Sequence, residues 1–254
     1  MTDFTQSDDL KGSTFVGVDL SGARFVESDL TGLVMRGVEV ARADIDAPWL
    51  VHGGYFRING VDVIAYVEAE LDRTFPGRAE RRADDPEGLR SAWARLEAAW
   101  TAALARAAAL PEGSVDVSVD GEWSFAQTLR HLVHATDIWL RKGALGLEDP
   151  FHPLGLADLS AEDEVPEAVA SASYDDVLAA RADRVGQVRE VIAGATPALL
   201  AEVRRNPHDP EHAETVLSCL HVILEEEWEH LRFALRDLDA VEAGIPVDPP
   251  SAPA

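Results

Sequence analysis

Cysteine is almost absent. The 254-residue chain has one, Cys219, which excludes an internal disulfide and a Cys-rich zinc site and favours a reducing compartment. Bases are scarce as well: 22 Lys and Arg stand against 46 Asp and Glu, a formal charge of -24. Such a surface repels phosphate backbones and anionic lipid, so neither a nucleic-acid nor a membrane partner is expected. An acidic chain can, however, imitate DNA toward a DNA-binding protein. No run of 18 apolar residues occurs, and the opening MTDFTQSDDLKG lacks a basic region followed by an apolar one, so neither a membrane span nor a signal peptide is expected. A glycine-rich phosphate loop, a nucleophile elbow and a Cys-x-x-Cys pair are also missing. These absences point to a soluble, cytoplasmic protein. Its 46% hydrophobic and 27% charged residues are ordinary for a globular chain.

What is present begins with a repeat. Leu10, Phe15, Leu20, Phe25, Leu30, Met35, Val40, Ile45 and Leu50 recur every five residues, with mostly small or apolar residues two positions before them. A period of five fits neither helix nor strand, so the backbone must turn a corner at each repeat and stack the large residues along one axis. The stretch VDLSGARFVESDLTGL resembles the pentapeptide repeat family, which implies a right-handed quadrilateral β-helix with four repeats per coil. Nine marked positions make about two coils, short for a freestanding solenoid, and the region is expected to pack on the rest of the chain.

Residues 51–60 close the repeats at an Asn59-Gly60 turn, and a helix is expected over 61–75, ended by Pro76-Gly77. Further helices are expected from Pro86 to Leu110, with Leu89, Trp93, Leu96, Trp100, Leu104 and Ala107 on one face, from Ser124 to Lys142, from Tyr174 to Ala193 and from Glu211 to Glu242. The acidic connection over 144–172 is long enough to be functional or mobile. The domain plan is thus a repeat cap at 1–58, a connecting helix and linker at 59–85, a four-helix bundle at 86–242 and a disordered tail at 243–254, an α+β chain overall.

The last helix carries HVILEEEWEH, residues 221–230. On a wheel of about 100° per residue, its apolar face spans from near His230 to Trp228. Glu226 falls about 40° outside that face beside His230, whereas Glu227 falls about 60° inside it. Glu225 and Glu229 point to solvent, and His221 lies opposite His230. Glu226 and His230, one turn apart, can converge on one cation. A third ligand must come from WSFAQTLRHLVHATDIWL, where His131 borders the apolar arc and His134 is turned about 60° further out. Two His and one carboxylate with open positions suit zinc, nickel or iron. The competing readings are a hydrogen-bonded His–Glu pair, and for Glu227 a partner such as Arg130 or Arg181. The loop NPHDPEHAE, with His208, Asp209, Glu211 and His212, reads as solvated, and Cys219 as a small buried residue.

With HLVHATDIWL on its second helix and LEEEWEHLRFALRDL on its fourth, the bundle over about 86–242 resembles the DinB-like family of metal-binding four-helix proteins, which includes thiol S-transferases and mycothiol-dependent maleylpyruvate isomerases. The common family pattern is one His followed later by HxxxH; the isomerases use ExxxH, and here Glu226 to His230 supplies ExxxH while the first His falls on His131. The resemblance implies metal ligands His131, Glu226 and His230, a divalent metal (zinc first, nickel or iron next), and a low-molecular-weight thiol acting on a small-molecule substrate. Glu227 or His134 would be the proton acceptor, the 144–172 loop a cover, and a homodimer is compatible with such a bundle. The rival expectations are a non-catalytic binding protein: an acidic pentapeptide-repeat DNA mimic or a regulatory module.

Overall fold

The computed structural model describes residue 4 and residues 10–157 and 172–244. The chain divides into two compact units, Met1–Gly53 and Gly54–Ala254. In the first, the backbone turns with the sequence period. A residue in the left-handed region recurs every five positions, at Gly12, Gly17, Gly22, Glu27, Gly32, Gly37 and Arg42. At every second corner an N–H three residues on closes a turn, Ser13 to Leu10, Ala23 to Leu20, Leu33 to Leu30 and Ala43 to Val40. No strand ladder of a β-helix forms among the described residues of this unit. The repeating large residues, from Leu10 to Ile45, stay 42–63% exposed.

The second unit is predominantly helical. A two-residue hairpin pairs β1 (Arg57–Ile58) with β2 (Val61–Asp62). Asn59 and Gly60 between them both have positive φ, the geometry a tight hairpin turn requires. Because Val61 and Asp62 belong to this hairpin, α1 begins later than expected and spans Ile64–Thr74. After a 3-10 turn at Arg78–Arg82, α2 runs Pro86–Ala108. Its start is fixed by Asp85, whose carboxylate accepts from the N–H groups of Glu87 and Gly88 ahead of the proline. Next comes α3 (Phe125–Thr136), opened by a reciprocal cap between Ser124 and Gln127. The expected single helix to Lys142 instead widens into a π-helical segment, Asp137–Ala144.

Residues 158–171, about half of the connection expected to cover the site, lie outside the described residues, as does the tail beyond 244. The chain resumes with α4 (Tyr174–Ala193) and the single turn α5 (Pro197–Leu200). An antiparallel hairpin follows, β3 (Val203–Arg205) on β4 (Ala213–Thr215). This hairpin corrects the expected helix start at Glu211. Residues 213–215 pair as a strand, and Thr215 caps α6, Val216–Glu242, by accepting from the Ser218 N–H.

Four long helices close on one another: α3 packs against α4 and α6, and α2 against the same two. Leu89, Trp93, Leu96 and Trp100 of α2 meet Leu129 and Leu132 of α3, Val188 and Ile192 of α4, and Ile223, Leu224 and Trp228 of α6 in one buried core. Each such side chain contributes on the order of 1.5–3 kcal/mol by leaving water, which holds α3 and α6 side by side where their polar borders meet. No helix among the described residues is long and apolar enough to cross a membrane.

Candidate metal centre

His131 of α3 and Glu226 and His230 of α6 come together. Glu226 Oε2 lies 3.2 Å from His230 Nε2 and 3.6 Å from His131 Nε2, and the two imidazole centroids are 4.6 Å apart. One ligand atom from each residue falls within 4.8 Å of the others, and this is the one such group among the described residues. All three side chains are 14% exposed. Burial alone would push the Glu226 carboxyl up, but its hydrogen bonds and attraction to the two histidines outweigh that and bring it down to about 2. Burial pushes His230 down, with the neighbouring His131 adding to the effect and Glu226 opposing it. The result is an ionised carboxylate beside a neutral His230, the protonation states a divalent ion needs.

The orientation of His131 is decisive. Its Nδ1 lies 3.1 Å from the carbonyl oxygen of Leu156. A carbonyl only accepts, so the ring hydrogen sits on Nδ1, and in the neutral ring Nε2 presents a bare lone pair toward Glu226. In that neutral form two acceptors face each other across 3.6 Å, and the contact becomes attractive with a shared cation or with a proton on Nε2, the form in which His131 helps hold the Glu226 carboxyl down. A ring N–H given to a backbone carbonyl is also the usual outer support of a metal-binding histidine. The residues fit a divalent metal on both counts.

Aromatic rings complete the surroundings. Trp123, just ahead of the cap of α3, lies 4.3 Å from the His131 ring and 5.6 Å from His230, nearly parallel to the latter. Phe233 meets His230 edge-on at 5.8 Å. Neither Trp123 nor the Leu156 carbonyl was visible to helix-wheel reasoning, since both act from irregular backbone.

The other residues singled out in the sequence lie elsewhere. Glu227 is interior, 1% exposed, and Arg181 Nη2 donates to both of its oxygens at 2.6 and 2.5 Å. Burial pushes its carboxyl up and Arg181 opposes that. Of its two candidate partners, Arg130 instead donates to the Leu154 carbonyl. His134 stacks on Phe151 at 5.4 Å, outside the ligand group. His221 donates to or accepts from neither ligand histidine; its Nε2 meets the Ala83 carbonyl. Glu229 corrects the wheel: it is 4% exposed, held by Arg78 at 2.9 Å and by Arg232 at 3.1 Å. The wheel knows one apolar face and cannot foresee the segment after α1 laying arginines on the opposite side. In the loop after β3, His212 pairs with Asp209 in the open. Cys219 is fully buried, its thiol pushed up to about 11 by burial, which leaves it unreactive.

The sequence profile of the DinB superfamily matches residues 95–234, a span that holds all three candidate ligands. The chain belongs to the DinB superfamily. Within this DinB domain the paired helices α3 and α6 carry the site. No curated protein and no solved structure gives a significant match.

Proposed function

We propose that this DinB-superfamily protein is a divalent-metal-dependent enzyme acting with a low-molecular-weight thiol, of the thiol S-transferase or thiol-dependent isomerase type, with His131, Glu226 and His230 as ligands and zinc as the first choice of metal. The observation that carries the reading is the His131 tautomer, whose free Nε2 lone pair faces the Glu226 carboxylate. Three protein ligands leave positions open for a substrate group, as catalytic rather than structural sites do. The bound ion supplies Lewis acidity, which lowers the pKa of a thiol or water for delivery to an electrophile. Trp123 covers both histidine rings and limits water there. For the proton acceptor, His134 is preferred to Glu227, because Arg181 holds both oxygens of the carboxylate. The single, buried cysteine is compatible with cytoplasmic work. The test is metal-dependent consumption of a small thiol in the presence of electrophilic acceptors. Activity abolished by a chelator and restored by zinc supports the reading; a metal-loaded protein that consumes no thiol with any acceptor contradicts it.

A second reading rests on residues 10–50, whose corner every five residues favours a pentapeptide-repeat imitation of DNA. It ranks lower because this stretch holds six acids (Asp19, Glu27, Asp29, Glu39, Asp44, Asp46) against four bases (Lys11, Arg24, Arg36, Arg42), six minus four leaving little of the total of -24. Inhibition of gyrase supercoiling by the full chain tests it.

A further inference from the structure

Sequence gives no reason for His131 to hold its hydrogen on Nδ1, and the structure supplies one in the loop after the π-helical segment. Asp137, the first residue of that segment, is fully buried. One carboxylate oxygen accepts from Arg184 Nε at 2.6 Å, and the other accepts from the backbone N–H of His152 at 2.7 Å. Three further bonds carry the loop along α3. Arg130 Nε donates to the Leu154 carbonyl at 3.1 Å, the Leu156 N–H donates to the Arg130 carbonyl at 3.2 Å, and the Leu156 carbonyl accepts from His131 Nδ1 at 3.1 Å. Between the anchors the loop lies close on the helix. A Cβ at Gly155 would sit 3.3 Å from the Cβ of His134 and 3.2 Å from the His152 carbonyl, so a side chain there would push the strap and the helix apart by a few tenths of an ångström.

We infer that residues 150–156 form a strap that sets the tautomer and ring orientation of His131, with Asp137 as its anchor and positioning residue. Resting on the metal reading above, the inference adds that metal affinity depends on a buried acid that does not itself touch the ion. The Asp137–Arg184 pair fixes the His152 amide, that fixes the register of the strap, and the register delivers the Leu156 carbonyl to Nδ1. Without the carbonyl, the neutral ring is free to carry its hydrogen on Nε2, where it bonds to Glu226 and closes the ligand position.

The test uses the full chain, metal-free and zinc-titrated, as wild type, Asp137→Asn and Gly155→Ala. Long-range nitrogen NMR of the histidine rings reads the tautomer of His131 without metal, so the strap is judged separately from whether the protein binds zinc at all. The expected result is Nδ1–H in the wild type and a shift toward Nε2–H in both variants. Zinc affinity should then fall roughly 10- to 100-fold, the range for a lost outer support, with the His230 tautomer unmoved. Nε2–H in the wild type, or an unchanged tautomer and zinc affinity in a folded variant, overturns the inference. Gly155→Ala leaves the buried Asp137–Arg184 pair in place and decides the matter if Asp137→Asn does not fold. A wild type that shows the expected tautomer but binds no zinc keeps the strap and removes the metal reading instead.

Discussion

Two charged clusters sit on neighbouring turns of α6, and they differ in one respect. Around Glu229 each carboxylate meets at least one guanidinium. Arg78, 2% exposed, reaches Glu229 at 2.9 Å, Asp72 at 2.8 Å and Glu68 at 3.1 Å, and Arg81 reaches Glu68 at 2.6 Å and Asp72 at 3.1 Å. Around Glu226, one helical turn before His230, the carboxylate instead faces a histidine nitrogen whose hydrogen is committed to the far side of its ring. The first cluster is closed by its own guanidinium groups and clamps α1 and the 3-10 turn onto α6. The second keeps His230 beside the carboxylate at 3.2 Å but has no guanidinium to close it, and that is the place the proposed cation would take. Burial and charge do not separate a structural cluster from a site; the donor count does.

Each cluster should break in its own way. Arg78→Ala takes one guanidinium from Glu229, Glu68 and Asp72, which keep Arg232 and Arg81, and should cost about 1.5–3 kcal/mol of stability, the range for hydrogen bonds to charged groups, read by urea unfolding, with zinc affinity changed far less. Glu226→Gln should do the reverse. Zinc affinity should drop by more than the roughly 100-fold that outer-support changes reach, while the metal-free protein unfolds at nearly the wild-type urea concentration; equal losses in both measures would erase the distinction.

Acid sharpens the comparison further. Burial would raise the Glu68 carboxyl, but Arg78 and Arg81 outweigh it and hold it at about 2 against an ordinary 4.5. The stability it adds is therefore whole above pH 4.5 and drains as pH falls toward 2. Glu68→Gln should flatten that acid limb of the metal-free protein. A smaller effect is expected at Trp123. Trp123→Ala removes the ring that rests on both histidines and should weaken zinc binding about tenfold, the low end for an outer support, with Trp123→Phe recovering most of it.

Much of this was legible in the sequence where one helix could be considered alone. The 3.6-residue spacing of Leu89, Trp93, Leu96 and Trp100 placed the core face of α2, and the wheel put Glu226 beside His230 and Glu227 inside. An arginine partner for Glu227, Arg130 or Arg181, followed from the cost of burying a carboxylate alone, and the fold chose Arg181. What one helix cannot show is what crosses it. Glu229 reads as solvent-facing on the wheel because Arg78, which covers it, arrives from outside the helix. The hairpin at 203–215 escaped notice because Val203–Arg205 and Ala213–Thr215 are three residues each, too short to show alternation. The Leu156 carbonyl had no sign at all, since every residue carries one and only the fold says where it points. The five-residue period was plain, and the backbone turns with it.

The central claim is that the Glu226 cluster is completed by a cation. Competition titration of metal-free protein with zinc and a coloured chelator tests it most directly. The account predicts one tightly held zinc per chain in the wild type and its loss in the His131→Ala, His230→Ala double variant. No tight zinc in the wild type, or undiminished zinc in the folded double variant, would contradict it.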